Sequence, residues 1–364
     1  MALDVRGVES NGVSEWYLLA TPEEDASPVD QARQAFSAVA DALRSRNAAI
    51  FQERVFAPVD AVPDLRPLRI KVYGDLHDGV EPCWLAGSGP VAVQVHALGG
   101  AQRPIAMNGV GKGHARSFRH HDTTWITASD LGADPAVSPH EQARIALERA
   151  EAILSQSGGD LRNVARTWFF MDRILDWYGD FNKVRTRLFI ERGVMTPGAR
   201  DDRMPASTGI GVSPARPGRC ALDLFAILGD PAAIRRYHAA GRQRSAYEYG
   251  SAFARAARVT GPASRTVFVS GTAAIDATGA TCFVNDIPGQ IRMTMENVLA
   301  VLREMNCSPD QVVQAIAYCV NPEVERCFRS GWFKQLNWPW IVVAGDVCRG
   351  DLLFEVEATA CQRA

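Results

Sequence analysis

TVFVSGTAAI at 266–275, QIRMTMENVLAVLREM at 290–305, QVVQAIAYCV at 311–320, WIVVA at 340–344 and LFEVEAT at 353–359 decide the fold. The first alternates and is rich in β-branched residues, so it predicts a strand ending at the glycine of Ser270-Gly271. The second sets Ile291, Met295, Val298, Leu299 and Leu302 on one helical face. A strand follows, then a helix over 323–336 stopped by Asn337 and Pro339, then two closing strands over 340–344 and 352–358.

The same order recurs upstream. Strands are expected at 125–128, 164–170, 205–211 and 219–228, with helices at 140–156 and 181–193. The N-terminal third is a worn copy: strands at 16–21, 49–56, 68–73, 82–86 and 91–98, one helix at 29–46, and a Pro-rich stretch at 57–67 in place of a second helix. Alignment by element sets Gln94 and Asp223 against Glu355. Tandem copies of one sheet with helices on one face predict an α+β fold closed into a single-chain pseudo-trimer. The expected units are 1–103, 104–240 and 241–364. The middle copy carries extra residues at 172–180 and 196–203, candidate lids over a site between copies.

At 47% hydrophobic and 22% charged residues the chain has the balance of an ordinary folded protein. Its 39 basic and 41 acidic residues leave a net charge of -2, which supplies no field for nucleic acid or an anionic membrane. No apolar run approaches the ~20 residues of a membrane span, and the first residues do not read as a secretory signal, so a cytoplasmic location is expected. The eight cysteines form no CxxC pair and are expected to be mostly reduced, buried thiols. Gly109-Val-Gly-Lys-Gly113 lacks the spacing of a phosphate-binding loop, and His120-His121 on extended backbone would point apart rather than chelate.

The third copy resembles the Rid (YjgF-like, chorismate-mutase-like) family through 266–272, 294–298 and 354–360. Members of that family form trimers with pockets between subunits. Its deaminases hold substrate with an arginine on the strand before the closing one, where this chain has Trp340 and Ala206. The whole chain resembles the chorismatases, of the 3-hydroxybenzoate synthase type, through Pro205-Ala-Ser-Thr-Gly-Ile-Gly211, 247–256, 268–275 and Gly345-Asp-Val-Cys-Arg349, with Glu355 seven positions after the cysteine.

That resemblance implies cleavage of the enolpyruvyl ether of chorismate to pyruvate and 3-hydroxybenzoate, with no metal or organic cofactor. It places the essential acid at Glu355 and a helper in later proton transfers at Cys348. Strand alternation turns Glu355 and Glu357 to the same face, where two carboxyl groups can raise one another's pKa. A substrate with two carboxylates calls for cationic contacts, for which Arg166 and Arg255 are the candidates, with Tyr249 as a hydroxyl donor and Ser207, Thr208 and Gly209 as a turn offering close donors. Arg185, Arg187 and Arg192 read as solvated positions on an amphipathic helix. The chain is expected to act on this small molecule as a monomer with internal pseudo-threefold symmetry. The alternatives are a chorismatase releasing 3,4-dihydroxycyclohexa-1,5-diene carboxylate or mixed 3- and 4-hydroxybenzoate, a Rid-type imine deaminase, and a non-catalytic small-molecule-binding module.

Overall fold

The computed structural model describes residues 2–22, 25–196 and 203–363. The first unit runs β1 (Ala2–Ser10), β2 (Val13–Thr21), α1 (Pro28–Ser45), β3 (Ala48–Ala57), α2 (Val62–Tyr73), β4 (Cys83–Ala86) and β5 (Ala92–Gly100). The second runs β6 (Ile105–Ala106), β7 (Ala115–His120), β8 (Thr123–Leu131), α3 (Pro139–Ser155), β9 (Val164–Met171), α4 (Tyr178–Glu191), β10 (Ala206–Ile210) and β11 (Cys220–Leu228). The third runs β12 (Ile234–Tyr237), β13 (Ala256–Thr260), β14 (Ser264–Ala273), α5 (Ile287–Glu304), β15 (Val312–Cys319), α6 (Pro322–Ser330), α7 (Trp332–Gln335), β16 (Trp340–Ala344) and β17 (Phe354–Arg363). Each unit contributes one sheet, in the orders β1-β2-β5-β3-β4, β10-β9-β11-β8-β7-β6 and β12-β13-β14-β17-β15-β16.

Each sheet packs its helices on one face around its own apolar core. The opposite faces of all three sheets meet in a shared core that includes Phe51, Trp168, Phe225, Phe268 and Ile316. This is the α+β pseudo-trimer that the repeats predict. A sheet of this kind can bury both faces only by finding helices on one side and another sheet on the other.

The helix expected over 323–336 is two, because Gly331 interrupts it at φ -114, ψ -102. The first unit departs further. Residues 68–73 are not a strand but the end of α2, a complete second helix. Val62, Leu65, Leu68 and Tyr73 form its buried stripe, and the alternation of Leu68 to Tyr73 concealed that period. Pro63 sits in the first turn, where its missing N–H costs nothing, and Pro67 removes a single bond one turn later. At the β7–β8 hairpin His121 adopts φ 51, so the His120 and His121 rings lie 4.1 Å apart instead of diverging.

Strand register corrects the alignment of the acidic residues. Gln94 faces Arg54 across β5–β3, Asp223 faces Trp168 across β11–β9, and Glu357 faces Ile316 across β17–β15. A register shift follows beside His96, Phe225 and Thr359 in the three pairs. The position matching Gln94 and Asp223 is therefore Glu357. Glu355 matches Ala92 and Ala221, so of these three equivalent positions only the third unit carries an acid.

Candidate active site between the second and third units

A cavity of about 190 Å³ opens where the edge strand β10 of the second unit meets the ends of β14 and β17 in the third. From the second unit, Ser207 and Gly209 of β10 and Tyr178, Asn182 and Arg185 of α4 line it. From the third come Tyr249, Ser251, Phe253, Arg255, Gly271, Cys348, Arg349 and Glu355, among others. The two units are sewn together beside it: Ala254 N–H donates to Pro205 O, Ser207 N–H to Ser270 Oγ at 2.8 Å, and Gly211 N–H to Asp346 O.

Glu355 is 5% exposed, and among the described residues no donor reaches its carboxyl. Burial, reinforced by the neighbouring Glu357, pushes it up to about 8, against the pull of Arg255 and Arg166. It is thus a carboxylic acid at neutral pH, aimed into the cavity. Gly271 is required beside it, since a Cβ there would collide with Glu355 Oε1 and lie 3.1 Å from Thr208 Cγ2.

Three guanidinium groups line the cavity without a carboxylate counterion among the described residues, and two of them, Arg185 and Arg255, are deeply buried. Arg185 is 2% exposed; Nη2 donates to Asn182 Oδ1 at 2.7 Å, the group stacks over Phe181 and Phe253, and Nε is buried without a partner. Burial lowers its pKa. Arg255 is equally buried, and donates from Nε to Arg244 O at 3.1 Å and from Nη2 to Tyr249 Oη. Arg349 lies over the Tyr249 ring and donates to Gly279 O at 2.9 Å. Glu355 is the only carboxyl group among the lining residues, and it is protonated, so the cavity carries unbalanced positive charge. A buried charge without a counterion costs several kcal/mol. An anionic ligand removes that cost.

Cys348 borders the cavity against Tyr178. Burial and the adjacent Glu355 push its thiol up to about 12, so it is held as S–H rather than thiolate.

Of the residues expected from sequence, Glu355, Cys348, Arg255, Tyr249, Ser207 and Gly209 converge here. Arg166 and Thr208 do not. They lie on the shared-core side, where Arg166 Nη2 donates to Glu357 Oε2 at 2.8 Å and to Thr208 Oγ1 at 2.6 Å, and Trp168 Nε1 donates to Glu357 Oε1 at 3.0 Å. Alternation separates them, because Thr208 points away from its neighbours Ser207 and Gly209. Arg185 was expected to be solvated. It is instead one of the most deeply buried residues, while Arg187 remains exposed and Arg192 pairs with Glu151. A signal was present: Phe181, Arg185, Leu188 and Phe189 share one helical face, which places this arginine on the apolar side. The 172–180 insertion supplies Tyr178 to the cavity wall; of the second insertion, residues 197–202 lie outside the described residues.

Three α+β units in one chain, closed around a common core with a charged cavity at one junction, define the architecture. Comparison with known proteins agrees. Residues 250–362 match the family model described as Endoribonuclease L-PSP. No curated protein matches the chain. A crystal structure of a chorismatase superposes over 99% of this chain and 98% of its own, with a TM-score of 0.62 and 17% identity. Yeast YEO7 matches 36% of this chain over 99% of its own length at 20% identity and a TM-score of 0.30. Yeast Mmf1 matches the same share at 17% identity, also with a TM-score of 0.30. The chain has the three-unit fold of that chorismatase. Among the described residues no helix is long and apolar enough to cross a membrane.

Proposed function

We propose that the chain is a chorismatase, cleaving the enolpyruvyl ether of chorismate to pyruvate and 3-hydroxybenzoate. One observation carries this reading: a single cavity holds a protonated buried carboxyl, Glu355, beside Arg185 and Arg255, whose charges lack carboxylate partners among the described residues. Cleaving an enol ether needs an acid that is still protonated at neutral pH, and a substrate with two carboxylates needs two cationic contacts. The likeness of the whole fold to a solved chorismatase supports the same assignment. The boundary expected between 240 and 241 moves forward, because β12 (Ile234–Tyr237) pairs with β13 in the third sheet; the units are taken as 1–103, 104–233 and 234–364, and the last two carry the site.

Glu355 hands its proton to the methylene carbon of the enolpyruvyl group, leaving positive charge on the ether-bearing carbon. The ring hydroxyl beside the ether then displaces the pyruvate oxygen from the ring, and the ionised Glu355 is available to take back the proton released. Opening of the resulting three-membered ring and loss of a ring proton give the hydroxybenzoate. Chorismate equals pyruvate plus hydroxybenzoate, so no water is consumed. Cys348, held as a thiol against Tyr178, is placed to donate or relay a proton in the last steps. Arg185 and Arg255 hold the carboxylates, with Tyr249, Ser207 and Gly209 completing the wall. Arg166 and Thr208 act through Glu357 and Gly271 rather than on the substrate.

A chorismatase that admits water releases the non-aromatic diol instead, and the two branches share every residue above except the use made of Cys348. Incubating the purified chain with chorismate tests the reading. Pyruvate released in equal amount with 3-hydroxybenzoate supports it, the diol with pyruvate shifts it to the second branch, and no pyruvate refutes both.

A further inference from the structure

A second cavity of about 210 Å³ lies between the third unit and the first. Strand register makes it the counterpart of the active-site cavity. Trp340 and Val342 of the edge strand β16 occupy the places of Ser207 and Gly209 on β10. Ala92 occupies the place of Glu355, and Thr21 and Ala92, each one residue beyond the last paired residues Ala20 and Val93, line this cavity as Ala273 and Glu355 line the other. Arg329 is the eighth residue of α6, as Arg185 is of α4, and each guanidinium sits over a phenylalanine: Phe333 at 5.3 Å and Phe181 at 4.7 Å. At the remaining junction the equivalent of Gly209 and Val342 is the buried Trp84, whose bulk occupies that position.

The counterpart differs in its chemistry. Ala92 stands in the place of the acid, and among the described residues that line this cleft none carries a carboxyl group to protonate a vinyl carbon. Phe56, Phe333, Trp340 and Ile341 are among the residues that line it. One cation remains: Glu325 takes Nε of Arg329 at 2.7 Å, and among the described residues the two terminal nitrogens carry no hydrogen bond. Flat aromatic walls with one available guanidinium edge fit a flat ring bearing one carboxylate.

We propose that this cleft binds a small aromatic monocarboxylate and holds it without turnover. The inference rests on the cleft itself and does not need chorismate to be the substrate of the other cavity. Its test uses 4-fluorobenzoate as the probe and the full chain, followed by fluorine NMR. In the full chain carrying Arg185→Gln and Arg255→Gln, which removes probe held in the active-site cavity, a bound signal should persist, and adding Arg329→Gln or Val342→Trp should abolish it, with affinity reduced at least tenfold. Neutral 4-fluorobenzamide should bind at least tenfold more weakly than the acid. The Arg329 side chain is 42% exposed, so its substitution leaves folding intact, as a melting curve would verify. A bound signal that survives in either cleft variant, or no signal at millimolar probe, overturns the proposal. Turnover of chorismate is not read in this experiment, so its outcome is separate from that of the assigned reaction.

Discussion

Glu355→Gln tests the acid without any substrate. The carboxyl titrates at about 8 in the folded chain against 4.5 when free. Below about pH 4.5 both states of the wild type are protonated and burial of the group is uncharged. Between the two values the folded chain keeps a proton that the unfolded chain has released, so stability falls as pH rises, by about 1.4 kcal/mol per unit. Across the full window the loss is on the order of 5 kcal/mol, complete once the pH passes the folded value. Glutamine has nearly the same shape and does not ionise, so the variant escapes this loss. Denaturant unfolding of both proteins at pH 5, 7 and 9 should show similar midpoints at pH 5 and a variant progressively more stable than wild type by pH 9. The same substitution should lower turnover by roughly 10²–10⁴-fold, the range for removing a general acid. Wild-type turnover should fall about tenfold per unit above pH 8, where the acid form is depleted. Two stability curves that stay parallel from pH 5 to 9 would refute the raised pKa, and with it the catalytic role.

The two buried arginines should part company. Arg185→Gln removes a charge with no carboxylate partner among the described residues, so melting temperature should hold or rise while KM for chorismate rises at least tenfold; Arg166→Met strands Glu357 and should cost about 3–5 kcal/mol of stability, measured by urea unfolding. Gly271→Ala drives a methyl group into the Glu355 carboxyl, and should abolish pyruvate release at a stability cost of about 1–3 kcal/mol. Cys348, with its thiol near 12, should resist iodoacetamide at pH 8 in the folded protein; Cys348→Ser should keep pyruvate release and change the ring product seen by chromatography.

Much of this was legible in the chain itself. Repeated strand-helix-strand order, written in alternation and 3.6-residue periods, predicts three sheets that each bury one face under helices, and the sheets of the sister units cover the other faces in a shared core. Glu355 sitting between Phe354 and Val356 is also a sequence fact, since an acid on an otherwise apolar strand must face something unusual. The tertiary structure decided the rest. Which of Arg166 and Arg185 meets the cavity depends on whether the β9 side chain or the α4 side chain faces the junction with the third unit, whose Glu355 lies more than 150 residues further along the chain, and local periodicity carries no information about that pairing. The match of Asp223 to Glu357 rather than Glu355 likewise follows from strand register, where a shift of two residues preserves the facing side and so leaves no trace in the alternation. The raised pKa of Glu355 belongs wholly to the assembled fold, because only contact between the second and third units takes water away from it.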